Sequence, residues 1–194
     1  MIALVRHGQT EANRTGLLLG RSDVPLNDAG RAQATAIAAT FDAAPAAIVS
    51  SPLRRALDTA AAIAEPWGID VRVDDRLVEI DYGEWDERAL GDVPADAWAQ
   101  WRADPMFAPP GGESLASVHD RVEGCVRELL DGPGGDVVVA VSHVSPIKAA
   151  VAWVLGGGPE LSWRLRLDVG SISTITRGPA GAVLHTWNEV PTPS

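Results

Sequence analysis

The chain has 194 residues, of which 46% are hydrophobic and 22% charged, the balance of a globular protein long enough to bury a full core. Its formal charge of −10 runs against broad binding to nucleic acid or anionic membranes, which needs a basic surface. No apolar run reaches the roughly 18 residues of a membrane helix, the start is too short before Arg6 to be a secretory signal, and the lone Cys125 allows no internal disulfide or cysteine zinc cluster, so a cytoplasmic protein is expected.

In chain order, Ile2–Arg6 reads as a strand that stops at His7. Asn27 is a plausible N-cap for an alanine-rich helix to about Thr40. Ala46–Ser50 is a second short strand, and Ser51-Pro52 reads as an N-cap followed by proline at the first helical position, opening a helix to about Glu65. Val71–Val73 is a short strand before an irregular stretch that holds Glu79 and Gly83. Residues 84–112 form a loop-rich lid or insertion with a short helix at 94–103. A helix from about Glu113 to Leu130 comes next, then the apolar strand Asp136–Val141, as expected for a strand buried on both faces. A helix from Ser145 to Leu155, two closing strands at 171–176 and 182–187, and a brief tail, Val190–Ser194, complete the chain. Alternating strands and helices predict one α/β domain over 1–194, with a mostly parallel central sheet flanked by helices on both faces.

His7 and His143 each stand just past the end of a strand, and Arg55 lies in the first turn of a helix that comes after one. Ligands of open parallel sheets bind outside the carboxyl ends of the strands, so three distant polar groups point at one edge. In an acidic chain, arginines that converge on one spot suit an anion. A neutral imidazole can attack phosphorus if cationic and N–H donors neutralise the phosphate oxygens. Arg6 and Arg55 supply guanidinium forks, the helix start at Arg55 supplies amides, and Thr10 and Asn13 add neutral donors from the loop. His143 can donate to the same oxygens, and Glu79 can protonate the leaving alcohol and later take a proton from water. This route needs no metal and no cofactor. Taken singly, Glu79 cannot be told from its acidic neighbours Asp81, Glu84, Asp86 and Glu87, and Arg54 reads as solvated.

The run Arg6-His7-Gly8-Gln9-Thr10-Glu11-Ala12-Asn13 resembles the Arg-His-Gly-x-Thr-x-x-Asn signature of the histidine phosphatase (phosphoglycerate mutase-like) superfamily. Pro25-Leu26-Asn27-Asp28-Ala29-Gly30, Ser50–Ala56, Leu77–Trp85, Gly111–Ser114 and Val141-Ser142-His143 continue the resemblance in order over nearly the whole chain. By that similarity His7 is the phosphorylated nucleophile, Arg6, Arg55 and His143 form the phosphate pocket supported by Thr10 and Asn13, and Glu79 is the proton donor. Gly20, Arg21, Tyr82 and Val144 are expected to border the substrate. Val144 is also a departure, standing where many members carry glycine and narrowing the space beside the phosphate.

The family holds both phosphatases and mutases. A mutase needs extra basic groups and an enclosing lid; between Glu84 and Pro110 this chain offers only Arg88 and Arg102, and Leu17-Leu18-Leu19 is apolar. The expectation is therefore a phosphatase acting on a small phosphomonoester, with a phosphoglycerate mutase-type transfer as the alternative. A non-catalytic phosphate-binding module would lack the nucleophile, the arginine or the second histidine, and a metal hydrolase would need more than four scattered histidines. Trp98 and Trp101, three apart on the short helix, either pack it onto the domain or stack on an apolar or ring-bearing substrate; Trp67, Trp153, Trp163 and Trp187 read as packing, and His119 and His185 as non-ligands. A homodimer is possible through an apolar tryptophan-bearing segment.

Overall fold

The computed structural model describes residues 1–132 and 137–192. Asp136 and the last two residues of the tail lie outside the described residues. The strands are β1 (Ile2–Arg6), β2 (Ala47–Ser50), β3 (Val71–Val73), β4 (Val138–Ser142), β5 (Ile172–Gly178) and β6 (Gly181–Glu189). They form one six-stranded sheet in the order β3-β2-β4-β1-β5-β6. β1, β2, β3 and β4 run parallel, whereas β5 and β6 are antiparallel additions. The mostly parallel α/β class expected from the sequence is the class observed.

Among the described residues, six α-helices accompany the sheet: α1 (Glu11–Thr15), α2 (Asp28–Ala38), α3 (Arg54–Ala64), α4 (Ala95–Ala103), α5 (Leu115–Asp131) and α6 (Val144–Val154). Side chains of a strand alternate between faces, and β1 accordingly feeds two cores. Ile2 and Leu4 enter one buried cluster with Val118, Val122 and Val126 of α5 and Ile147 and Val151 of α6. Ala3 and Val5 enter a second with Ile37 of α2 and Ala56, Ala60 and Ile63 of α3. Burying both faces explains why β1 and β4 read as unbroken apolar runs. Among the described residues, no helix is long and apolar enough to cross a membrane.

Two local expectations are corrected. Ser51-Pro52 does not start a helix: α3 begins at Arg54, and its N-cap, Leu53, has no side-chain cap. The Ser51 hydroxyl is instead engaged by His143, from the end of β4. Thr10 and Asn13 do not lie in a loop: they close a capping box at the start of α1, a helix the sequence patterning did not reveal, in which the Thr10 hydroxyl donates to Asn13 Oδ1 while Asn13 Nδ2 takes no part. Smaller shifts bring α5 to begin after Ser114, which caps it, and extend β5 and β6 beyond their expected ends.

Candidate active site

The register of the parallel strands builds the site. Arg6 of β1 pairs with Ser142 of β4, and Ser50 of β2 pairs with Val141. The next residue of each strand therefore leaves the sheet close to one level: His7 from β1 beside His143 from β4, and Ser51 from β2 one residue before them. The ladder continues one step further, His7 N–H donating to the Ser142 carbonyl at 3.1 Å and Ser51 N–H to the Val141 carbonyl at 3.0 Å. Both imidazoles are buried, with ring centroids 5.0 Å apart. Gly8 is required after His7, because a Cβ there would collide with the backbone of Gly30 at the start of α2.

Hydrogen bonds assign the two rings different tasks. His7 Nδ1–H donates to the Gly8 carbonyl at 2.7 Å, which leaves the lone pair on Nε2 free. His143 Nε2 lies 2.7 Å from Ser51 Oγ. That hydroxyl accepts from Leu53 N–H at 3.3 Å, and among the described residues its own proton has no acceptor but Nε2, which puts the His143 proton on Nδ1. His143 Nδ1 is buried without a partner. Burial, then Arg55 and Arg6, hold His7 well below the ordinary imidazole value of 6.5, opposed only by the Gly8 carbonyl. Burial, Arg55 and His7 do the same to His143. Both rings are thus neutral at neutral pH.

The arginines are held from behind. Arg55 is fully buried on α3 and donates to the carbonyls of Ser22 at 2.8 Å and Gly20 at 2.7 Å. Arg6 donates to the Leu167 carbonyl at 2.7 Å. In both residues Nε is buried without a partner. Burial lowers the Arg6 guanidinium to about 10, chiefly against the pull of Glu79, and it stays charged at neutral pH. Burial also lowers Arg55, and Glu79 again opposes most strongly. Two cationic N–H groups and one imidazole N–H around His7 are therefore buried and unpartnered, which is the donor set of an oxyanion site. The amides expected from the start of α3 are partly spent: Arg54 N–H donates to Asp23 Oδ1 at 2.6 Å. The Arg54 side chain is solvated, as expected, with Asp58 3.8 Å away.

Glu79 is buried among backbone donors. His143 is the N-cap of α6 but offers no side-chain cap, and Glu79 takes that place from a distant loop. Its Oε1 accepts from Ile80 N–H at 2.8 Å and Ser145 N–H at 3.1 Å, and its Oε2 accepts from Val144 N–H at 3.1 Å. A carboxylate suits the positive end of a helix, and Oε2, with one bond, keeps room for a proton. Tyr82 stands nearby, its phenol pushed up by burial and then by Glu79. The N–H of Val144 thus goes to Glu79, whatever its side chain does to the space beside the phosphate.

The remaining sequence-named residues separate into supports and rim. Gly20 acts through its backbone, its carbonyl on Arg55 and its N–H on Asp86 Oδ1 at 2.6 Å; a Cβ there would press on Tyr82 and Ile80. Arg21 is 40% exposed and leans on Glu113 at 3.3 Å, outside the buried cluster. Asp86, which reads in sequence as one more surface acid, is a support: its Oδ2 also accepts from Ser22 N–H at 2.9 Å and the Ser22 hydroxyl at 3.0 Å. It thereby fixes both loop carbonyls that hold Arg55. Thr59 is a second support, accepting from Gly8 N–H at 3.1 Å and donating to the Arg55 carbonyl at 2.8 Å. No group of three or more His, Cys, Asp or Glu able to hold a metal ion occurs among the described residues.

The fold is a mixed α/β sheet with two neutral histidines just past the ends of its parallel strands, and the half-buried Arg6 and fully buried Arg55 beside them make a site suited to an anion. The chain belongs to the histidine phosphatase superfamily (branch 1), whose profile matches residues 2–190. It is 39% identical over 185 residues to a glucosyl-3-phosphoglycerate phosphatase of Mycolicibacterium vanbaalenii, covering 90% of this chain and 82% of that protein. It is 35% identical over 180 residues to phosphoserine phosphatase 1 of Hydrogenobacter thermophilus, covering 90% and 85%. A solved structure of a mycobacterial glucosyl-3-phosphoglycerate phosphatase with VO3 superposes with a TM-score of 0.87 at 35% identity, covering 97% and 98% of the two chains. The chain spans about half the length, 49%, of further mycobacterial relatives that are 38% identical over 177 residues, one of them described as a bifunctional protein of Mycobacterium tuberculosis.

Proposed function

We propose that this chain hydrolyses small phosphomonoesters through a phosphohistidine on His7. His7 Nε2 attacks phosphorus, the phosphorus–oxygen ester bond breaks, and its electron pair leaves with the alcohol oxygen, which takes a proton from Glu79. Water then attacks phosphorus while the Glu79 carboxylate takes a proton from it, and the phosphorus–nitrogen pair returns to Nε2. Nε of Arg6, Nε of Arg55 and Nδ1–H of His143 bind the equatorial oxygens. Splitting one hard displacement into two is the gain of a covalent route, and fixed donors aimed at developing charge supply most of the acceleration. The observation that carries the proposal is the coincidence of a lone pair on His7 with three unpartnered buried donors around it. The phosphatase names of these two relatives support hydrolysis, while a third, 36% identical over 180 residues, is named a probable phosphoglycerate mutase and keeps transfer as the alternative.

The test is rapid quenching during turnover of a labelled phosphomonoester, in the presence of a chelator. An acid-labile, base-stable phosphoprotein is expected in the wild type and not in His7→Ala. Label that persists in His7→Ala, or turnover abolished by the chelator, would overturn the scheme.

A further inference from the structure

Beside the phosphate end lies a second cavity of about 170 Å³ that the phosphohistidine route does not use. Leu18, Leu90, Trp98, Trp101 and Trp163 wall it with apolar surface. Trp98 and Trp101 stack, with centroids 5.3 Å apart and planes at 26°. Trp163, expected to be packing, meets Trp101 edge-on at 5.1 Å and is 38% exposed at the mouth. Tyr82, Val144 and Ser145 complete its lining, the last two being the residues whose amides hold Glu79. Its size is comparable to the roughly 150 Å³ space that holds one benzene molecule in an engineered protein core.

One charged side chain lines this apolar slot, Lys148. Of the 16 lysines and arginines in the chain, it is the single lysine. It sits on α6 one turn after Val144, so it projects on the same face as the residues that anchor Glu79. Burial lowers its ammonium first, then the charge of Arg6, with Glu79 opposing, which places it within the field of the catalytic charges. No described residue gives it a hydrogen bond or an ion pair. Most arginines of the acidic surface have carboxylate partners. A half-buried, unpartnered ammonium among tryptophans leaves a charge uncompensated, a cost that an anion from outside would offset.

We propose that Lys148 and the tryptophan slot recognise the alcohol half of the substrate, and that this alcohol carries a carboxylate next to one ring-sized apolar group. The proposal deepens the phosphatase function and depends on it. Phosphate on His7 and carboxylate on Lys148 would fix the ester at both ends, with the ring against Trp98 and Trp101 between the walls. The ammonium would discriminate through binding of the alcohol half and take no part in the transfer itself.

The test compares phenyl phosphate with 3-carboxyphenyl phosphate, esters of similar leaving ability that differ in one carboxylate. Wild type is expected to prefer the carboxylate ester by about tenfold in kcat/KM, about 1.4 kcal/mol, mostly through KM. Lys148→Met is expected to erase that preference and Lys148→Arg to keep part of it. An absent preference in wild type, or an equal loss on both esters in Lys148→Met, would overturn the assignment; an equal loss would place Lys148 with Glu79 as a structural charge. Should Lys148→Met not fold, the wild-type ratio and Lys148→Arg decide alone. Failure of the phosphatase function is distinguishable, because it would abolish hydrolysis of phenyl phosphate in the wild type.

Discussion

Replacing Glu79 by glutamine separates two things its carboxylate does. Three backbone N–H groups converge on it, those of Ile80 at 2.8 Å and Ser145 at 3.1 Å on Oε1 and that of Val144 at 3.1 Å on Oε2. A glutamine has one acceptor oxygen. With its carbonyl toward Ile80 and Ser145, its NH2 faces Val144 N–H donor to donor, and one amide at the start of α6 loses its partner. The opposite orientation orphans two. One unsatisfied buried N–H costs about 1–3 kcal/mol, and each kcal/mol lowers the melting temperature of a chain this long by about 2–4 °C. The chemical loss is independent. An alkoxide must be protonated as it leaves, and a positioned acid contributes about 10²–10⁴-fold, whereas nitrophenolate departs without help. In kcat/KM, which reports the phosphorylation of His7 and not the later attack by water, Glu79→Gln is therefore expected to lose about 10²–10⁴-fold on an alkyl phosphate and less than about tenfold on 4-nitrophenyl phosphate. Phosphate release from both esters, measured well below the variant's melting temperature, gives the ratio. Equal losses would refute the proton role, and an unmoved melting temperature would refute the count of donors.

Asp86→Ala removes the acceptor that fixes the Gly20 and Ser22 amides, and with them the carbonyls that hold Arg55. Because misplacing a catalytic group by about 1 Å can cost about 10²-fold, kcat/KM is expected to fall by about 10–100-fold while the protein stays folded; an unchanged kcat/KM would show that Arg55 does not need the loop. The buried histidines make stability depend on pH. Both have folded values below the ordinary 6.5, so below that pH the unfolded chain binds more protons and stability is lost as pH falls. The expected slope approaches about 1.4 kcal/mol per histidine per pH unit between about pH 6.5 and 5.5, above the range where Asp74, Glu113 and Asp168 contribute. Urea midpoints across that interval measure it, and a flat profile would place the imidazoles in water.

How far this site can be read from the sequence depends on the range of the interactions involved. His7 and His143 could be seen because an unbroken apolar run announces a strand, and parallel strands end where ligands bind. Glu79 lies in an acidic loop without periodicity, so only the family resemblance singled it out; its three amide partners come from the start of α6 and one neighbour. Ser51 misled for the same reason in reverse. Serine before proline is a strong local start signal, yet its hydroxyl is claimed by His143, 92 positions away, and the helix begins three residues later. Asp86 could be recognised only by knowing that the apolar loop from Leu17 folds against it, joined by the bridge between Leu17 and Ala89. Trp163 sits on a short turn with no helical period, so nothing local linked it to Trp98 and Trp101.

Helix α6 gathers the consequences. Its N-cap, His143, leaves Nδ1 buried and unpartnered; its first two amides hold Glu79; one turn on, Lys148 lines the slot. A rigid helix fixes the spacing of these groups more closely than a loop could. Val144 sits at the junction. Its amide is bound to Glu79, as glycine's would be, but its side chain lines the tryptophan slot. Valine in place of the glycine of the resembled signature therefore leaves the amide's bond to Glu79 intact and adds apolar surface to the slot. A substitution that narrows this slot acts on which ester fits, through shape, while the donors around phosphorus stay where they are. On the proposed assignments, α6 carries the groups of the phosphoryl chemistry at its start and those of substrate choice one turn on.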